Sequence, residues 1–511
     1  MLRWSFVLAL PMAAVWLSAG AGGPSWGANA ALADAAEAAE VGQNAKRPHV
    51  LFLAVDDLRP QLGCYGHSQM VTPRLDSLAA SGARFDRAYC NIPVCGASRA
   101  SLMTGLRPTP NRFRTWNCWA ERDAPEAVPL NTHFTRHGYH AVSLGKVFHQ
   151  NLDHVDGWSE TPWRPEGSVS YCDCYLLPES LEIERRHREA APRGPNARHR
   201  GPAYEAADVP DEAYSDGIVV ERALVEMRRL AARDEPFFLA VGFIRPHLPF
   251  LAPTRYWEQY DFDTIRLPDN YRPPEDCPPE ALHSWGELRA YAGIPQRGPL
   301  TDETARRLIH GYYACVSYVD ALIGRLLDEL QRLGLEDDTI VVLWGDHGWQ
   351  LGEHGLWCKH SCFETSMHAP LIVRAPEMPV GMEVRQLVEF IDIYPSLCEL
   401  AGLPLPDHLE GTSFVPWMRG AEPPPPQDEA VGRHGRGETI RTDRYRYTEY
   451  LDASGRRRAR MLYDHHADPH ETVNIAEHPE HRQLVEQLSE RLQASRDQPK
   501  NLMFDTRGGI R

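Results

Sequence analysis

The sequence predicts an α/β fold: a large mixed sheet sandwiched by helices, then a small C-terminal antiparallel sheet with a helix. Three observations predict it. Short, wholly apolar runs rich in branched and aromatic residues recur at His49 to Val55, Pro236 to Phe243 and Thr339 to Trp344. Such runs are strands buried on both faces, as in parallel sheets. Helical periods stand between them, the clearest from Thr301 to Leu333 with Gly334 as its stop. After the stiff run Pro423 to Pro426 the pattern changes to alternating strands and a polar helix.

Taken in order, the first 30 residues read as a signal peptide. Arg3 supplies the charge, Trp4 to Ala19 the apolar run and Ala28-Asn29-Ala30 a cleavage site. That run holds Pro11 and is short for a membrane span, which needs roughly 18 residues or more. No later stretch approaches that length, so the mature chain is expected to have no membrane span. The expected location is outside the cytoplasm: periplasmic or secreted in a bacterium, a lysosome-like compartment in a eukaryote. Residues 31–46, rich in Ala and Glu, read as a linker. The net charge of −16 does not suggest a nucleic-acid partner. Eleven cysteines make an odd number. With Cys95 set apart, some of the other ten can pair in an exported protein, and the sequence does not say which. No paired Cys-x2-Cys motif marks a zinc cluster.

The catalytic domain is expected over 47–420. Thr72-Pro73 opens a helix, and Leu130 to His137 forms another, stopped by Gly138. Tyr139 to Leu144 reads as a strand. Residues 160–210 carry many Arg, Pro and Gly without a period and read as an insertion loop. Asp216 to Ala232 is helical. Residues 268–299, rich in proline, read as a loop on the substrate rim. Pro370 to Arg374 is a further strand and Val388 to Leu400 a further helix. A Pro-rich linker is expected at 421–430 and a small α+β subdomain at 431–511. Its strands are Thr439 to Tyr450 and Met461 to Asp464, and its helix runs from Pro479 to Ser495.

Chemistry gathers at the strand ends, where open α/β sheets bind ligands. Asp56-Asp57 ends the first strand. Gly145-Lys146-Val147-Phe148-His149 follows the second. Arg245-Pro246-His247 follows the third, and Gly345-Asp346-His347 the fourth, with Lys359 close behind. Three carboxylates suit a hard divalent cation. Lysines, an arginine and histidines around it suit a tetrahedral anionic ester. Any one histidine is more often structural than a ligand; the set as a whole is the signal.

Cys95-Gly96-Ala97-Ser98-Arg99, with Thr104-Gly105 beyond, completes the set. A helix from Ser98 to Met103 would leave Cys95 at its N-terminus, where free N–H groups favour an anion. A buried free cysteine is the commoner fate of such a residue. The run nevertheless resembles the signature of the type I sulfatase family, with Ala97 where proline is usual. Asp56-Asp57-Leu58-Arg59-Pro60, Leu62 to Gly66, the Lys146–His149 block, Pro246 to Phe250 and Gly345 to Gly355 extend the resemblance. They point to iduronate-2-sulfatase and its bacterial relatives, over about residues 48 to 470.

The resemblance implies an alkaline-phosphatase-like sulfatase fold and a sulfuric ester hydrolase. It implies that a formylglycine-generating enzyme oxidises Cys95 to formylglycine. It implies one calcium ion (Ca2+) on Asp56, Asp57, Asp346, His347 and the residue made from Cys95. Arg99, Lys146, His149, His247 and Lys359 would hold formylglycine and sulfate. Lys359 and His247 would protonate the leaving alcohol, and His149 would act as base. The implied substrate is a sulfated oligosaccharide or polysaccharide, with iduronate 2-sulfate or a related uronic-acid glycan foremost. Two other readings stay open: a phosphatase or phosphodiesterase of the same superfamily, with two zinc ions, and a non-catalytic glycan-binding relative. Arg112 and Arg114 can return over the pocket to meet a uronate carboxylate, or can pair with surface acids such as Glu121.

Overall fold

The computed structural model describes residues 47–165, 175–190, 200–420 and 428–497. The expected signal peptide and linker (1–46), Cys172, Cys174 and Pro423 to Pro426 lie outside them.

Seven strands form the central sheet: β1 His49–Val55, β2 Ala83–Tyr89, β3 His140–Gly145, β4 Phe237–Phe243, β5 Thr339–Gly345, β6 Leu371–Arg374 and β7 Met382–Glu389. Their spatial order is β7-β2-β6-β5-β1-β4-β3. β1 pairs in parallel with β4 and β5, and β3 with β4. β6 runs antiparallel to both β5 and β2, so the sheet is mixed. The all-apolar strands are central for a physical reason: both their faces are covered. Leu51, Leu53 and Val55 of β1 join one core, and Val50, Phe52 and Ala54 the other. Burying each large apolar side chain contributes about 1.5–3 kcal/mol.

Helices α1 Pro73–Ala80, α2 Cys95–Thr104, α3 Leu130–Arg136, α4 Pro178–Glu189, α5 Ser215–Ala231, α6 Asp302–Arg332 and α7 Ile393–Leu400 accompany the sheet. α1, α5 and α6 supply Leu75, Val219 and Leu308 to the first core. α2, α3 and α7 supply Ala97, Leu130 and Ile393 to the second. Thr301 caps α6, its side chain accepting from the Thr304 N–H.

A second, four-stranded antiparallel sheet follows: β8 Glu429–His434, β9 Gly437–Thr442, β10 Tyr445–Leu451 and β11 Arg457–Asp464, in sequence order. Helix α8, Arg482–Asp497, places Val485, Leu488 and Leu492 against Ile440, Tyr447 and Leu462.

Two expectations need correction. Residues 160–210 are not all loop. They include α4 and the short strands Arg200–Pro202 and Tyr204–Ala207. α4 lacks an apolar period because it buries only Ser180; Pro178 starts it, and Glu–Arg pairs one turn apart hold it. The helix expected from Val388 begins only at Ile393. Met382–Glu389 instead forms edge strand β7 beside β2, because Val384, Leu387 and Val388 find buried partners there. Nine cysteines are described, all free thiols. Among the described residues no helix is long and apolar enough to cross a membrane.

Candidate active site

The topology brings the carboxyl ends of β1, β3, β4 and β5 to one edge of the sheet. Directly after them come Asp56-Asp57, Lys146, His247 and Asp346-His347. α2 delivers Cys95 in its first turn, three residues earlier than the expected start of that helix. The N–H groups of that turn have no carbonyl within the helix to bond. Gly96 is required here. A Cβ on it would stand 2.2 Å from the Trp116 carbonyl oxygen, so the 111–122 loop lies directly over the start of α2.

Cys95 is 3 % exposed. Its Sγ lies 3.2 Å from His347 Nε2 and 3.8 Å from Asp57 Oδ1. Burial, then the Asp56 charge, pushes the thiol well above its ordinary pKa, against the pull of Lys359 and Lys146. His347 Nδ1 donates to the Gly348 carbonyl at 2.9 Å. In the neutral ring this leaves the Nε2 lone pair facing Cys95, with Asp57 Oδ1 at 3.4 Å and Asp346 Oδ1 at 3.6 Å. Asp56, Asp57 and Asp346 are fully buried. The Asp57 N–H donates to Asp346 Oδ1 at 3.0 Å, from a left-handed backbone at φ 59°.

Basic side chains answer each carboxylate. Arg99 Nε donates to Asp346 Oδ2 at 2.9 Å, and Arg99 Nη2 to Asp56 Oδ1 at 3.3 Å. Lys146 Nζ donates to Asp56 Oδ2. Burial would raise the Asp56 pKa, but Lys146 and Arg99 outweigh it and hold that carboxyl well below its usual range. Asp346 moves the other way, raised by burial and by the Asp56 charge. Lys359 Nζ donates to both Asp57 oxygens at 3.1 Å and lies 4.8 Å over the Trp349 ring.

Glu287 belongs to this centre and was not legible in the sequence. It sits in the Pro-rich rim segment, far along the chain from every motif. Its Oε1 accepts from Lys359 Nζ at 2.9 Å and from His247 Nε2 at 2.8 Å. Burial opposes its charge, yet Lys359 and His247 hold it well below the usual carboxylate range. His247 Nδ1 meets the Leu248 carbonyl. Both ring nitrogens therefore face acceptors, the geometry of a doubly protonated imidazole.

Nine expected residues thus form one contact network: Asp56, Asp57, Cys95, Arg99, Lys146, His247, Asp346, His347 and Lys359. His149 stands at its margin, its ring 6.1 Å from that of Trp116. Burial and the neighbouring Lys146 charge hold it well below the ordinary histidine pKa. Arg112 is not part of the site. It donates to the Arg107 carbonyl at 2.8 Å and pairs with Glu410 at 3.0 Å. Its charge is thereby committed to a neighbouring acid, though not to Glu121. Arg114 stays exposed.

A buried thiol among three carboxylates and three basic side chains, at the strand ends of an α/β sandwich, is a centre for hydrolysing esters of tetrahedral anions. The comparisons name the class more closely: the chain belongs to the sulfatase family and is a sulfuric ester hydrolase. The family model for sulfatases matches residues 48–403. That for the N-sulphoglucosamine sulphohydrolase C-terminal region matches 352–498. Human iduronate 2-sulfatase is 31 % identical over 406 residues, 72 % of this chain and 71 % of its own length. A sulfatase of Formosa agariphila is 32 % identical over 463 residues, covering 88 % of this chain and 87 % of its own. The phosphonate monoester hydrolase of Agrobacterium radiobacter aligns with TM-score 0.71 at 25 % identity, over 89 % of this chain and 96 % of its own.

Proposed function

We propose that this chain removes sulfate from a uronic-acid-containing glycan, iduronate 2-sulfate foremost, using formylglycine made from Cys95 and one calcium ion. One observation carries the reading: the Cys95 thiol meets Asp57 and His347 inside a buried network in which Arg99, Lys146 and Lys359 pair with Asp346, Asp56 and Asp57. The donor set suits the metal. Three buried carboxylates crowd together; burial, then the Asp56 charge, raises the Asp346 pKa, and a divalent cation would relieve that repulsion. Oxygen donors with a single imidazole favour calcium over a pair of zinc ions, which speaks against the phosphatase alternative. Asp56, Asp57, Asp346 and His347 would hold the ion together with the residue formed at position 95. When present, the ion and formylglycine supply an activated hydroxyl nucleophile and neutralise developing charge.

The remaining roles fall to this chain's own side chains. Arg99 orients Asp346 and Asp56, and with Lys146 it keeps Asp56 ionised. Lys359 Nζ and His247 Nε2 are donors for sulfate oxygens, and His247 holds the proton that a leaving alkoxide needs. His149, kept neutral, is available as a base. Similarity to iduronate 2-sulfatase supports the uronate assignment. The proposed location is outside the cytoplasm, after maturation by a formylglycine-generating enzyme.

A panel of sulfated oligosaccharides tests the substrate. The expected result is fastest sulfate release from chains ending in 2-sulfated iduronate. Preference for a 6-sulfated hexosamine would overturn the uronate assignment. Glu287→Gln tests the proton donor. Turnover of an alkyl sulfate should fall about 100-fold. A nitrophenyl sulfate, whose leaving group needs no proton, should lose much less. Equal losses on both would mean that Glu287 only shapes the site.

A further inference from the structure

Just beyond Lys359, the chain passes through His360, at φ 59°, into Ser361 and Cys362. These residues line a cavity of about 550 Å³, a size typical of small-ligand sites. Its other walls come from residues 280–283 and from the second sheet, at 434–436, 450–452 and 458. The cavity adjoins the reacting centre through the chain itself: His360 in its wall directly follows Lys359, whose Nζ binds Glu287 and Asp57.

Three histidines converge on it. The His283 and His360 rings are 5.9 Å apart, and the His360 and His434 rings 5.6 Å. Burial lowers the pKa of His283 to about 4, and burial with the His283 charge does the same to His434. At neutral pH they are uncharged rings, suited to hydroxyl groups rather than to anions. Charge enters at the mouth, where Arg436 and Arg458 are exposed. Asp452 lies on the same rim, but its carboxylate accepts from Ser454 N, Ser454 Oγ and Arg456 N of its own turn. Glu280 is the other acid of the rim, exposed to solvent.

We propose that this cavity binds the second sugar of an anionic oligosaccharide, next to the sugar that loses its sulfate. The histidines meet its hydroxyls, and Arg436 and Arg458 meet its sulfate or carboxylate. The proposal rests on the glycan reading above and gives the second sheet a part in substrate selection. Chains would then bind more tightly than a single sulfated sugar.

The test uses the full chain carrying Cys95→Ala, so that binding is read without turnover. Calorimetry compares a sulfated uronate-bearing tetrasaccharide with its terminal monosaccharide sulfate. The tetrasaccharide should bind about tenfold more tightly. Adding Arg436→Ala and Arg458→Ala should remove that advantage while leaving the monosaccharide within about twofold. His434→Trp, which fills the cavity without removing a cation, should do the same. Equal affinity for the two ligands, or equal loss for both in the variants, overturns the subsite. Binding of the monosaccharide alone overturns the subsite and leaves the glycan reading intact; binding of neither overturns both.

Discussion

Cys95→Ser, produced alongside a formylglycine-generating enzyme, is expected to hydrolyse sulfate esters at least about 1,000-fold more slowly than the native chain. The native thiol is a poor nucleophile as it stands. Burial and the Asp56 charge keep it protonated, because Lys359 and Lys146 do not outweigh them. Proximity to His347 and Asp57 therefore does not by itself make Cys95 reactive. A serine there could accept a sulfuryl group, but it has no second hydroxyl with which to expel it. Conversion is read independently of rate: the peptide containing Cys95 should be about 18 Da lighter after oxidation to the aldehyde. A serine variant with full turnover, or a fully active enzyme with an unmodified thiol, would refute the proposed chemistry.

On the proposed calcium reading, removing the ion should cost the folded state as well as abolish turnover. Asp56, Asp57 and Asp346 are fully buried, and the Asp57 and Asp346 carboxylates converge on His347 Nε2. Arg99, Lys146 and Lys359 balance part of that charge through specific pairs. Burial, then the Asp56 charge, still raises the Asp346 pKa. Calcium at 1,000 times its dissociation constant would stabilise the native chain by about 4 kcal/mol. Protein treated with a calcium chelator should melt at a lower temperature and regain its midpoint on adding calcium. In Asp346→Asn the calcium-dependent shift should vanish. Recovery with zinc alone would assign the site to a different metal.

Much of this arrangement can be read from the residues in order. The fully apolar runs of β1, β4 and β5 identify central strands, because only a strand covered on both faces has no place for a polar side chain. Once those strands are parallel, their polar C-terminal residues must share an edge, and Asp56, His247 and Asp346 meet there. Glu287 escaped because its loop carries no period. It meets Lys359 only through the path of the 268–299 segment, which no local rule fixes. Helix α4 escaped because surface ion pairs stabilise it rather than an apolar stripe. Arg112 was judged by charge alone, whereas Glu410, nearly 300 positions away, holds it. The cavity beyond Lys359 was hidden for a similar reason: its walls come from five stretches of chain that only the tertiary fold assembles.

The seclusion of Cys95 bears on when the enzyme can be made active. The residue after it, Gly96, lies against the Trp116 carbonyl, and the two begin a helix buried along its whole length. The Cys95 neighbours Asp57 and His347 lie 38 and 252 positions away. On the proposed reading, a formylglycine-generating enzyme has to reach a thiol that the folded chain leaves only 3 % exposed. Conversion then belongs to the interval between synthesis and closure of the sheet. On that reading a chain that folds first would stay inactive. The active fraction of a preparation would then record a race between modification and folding. Slowing the folding, for instance by expression at lower temperature, would raise it, and later addition of the modifying enzyme to native protein would not.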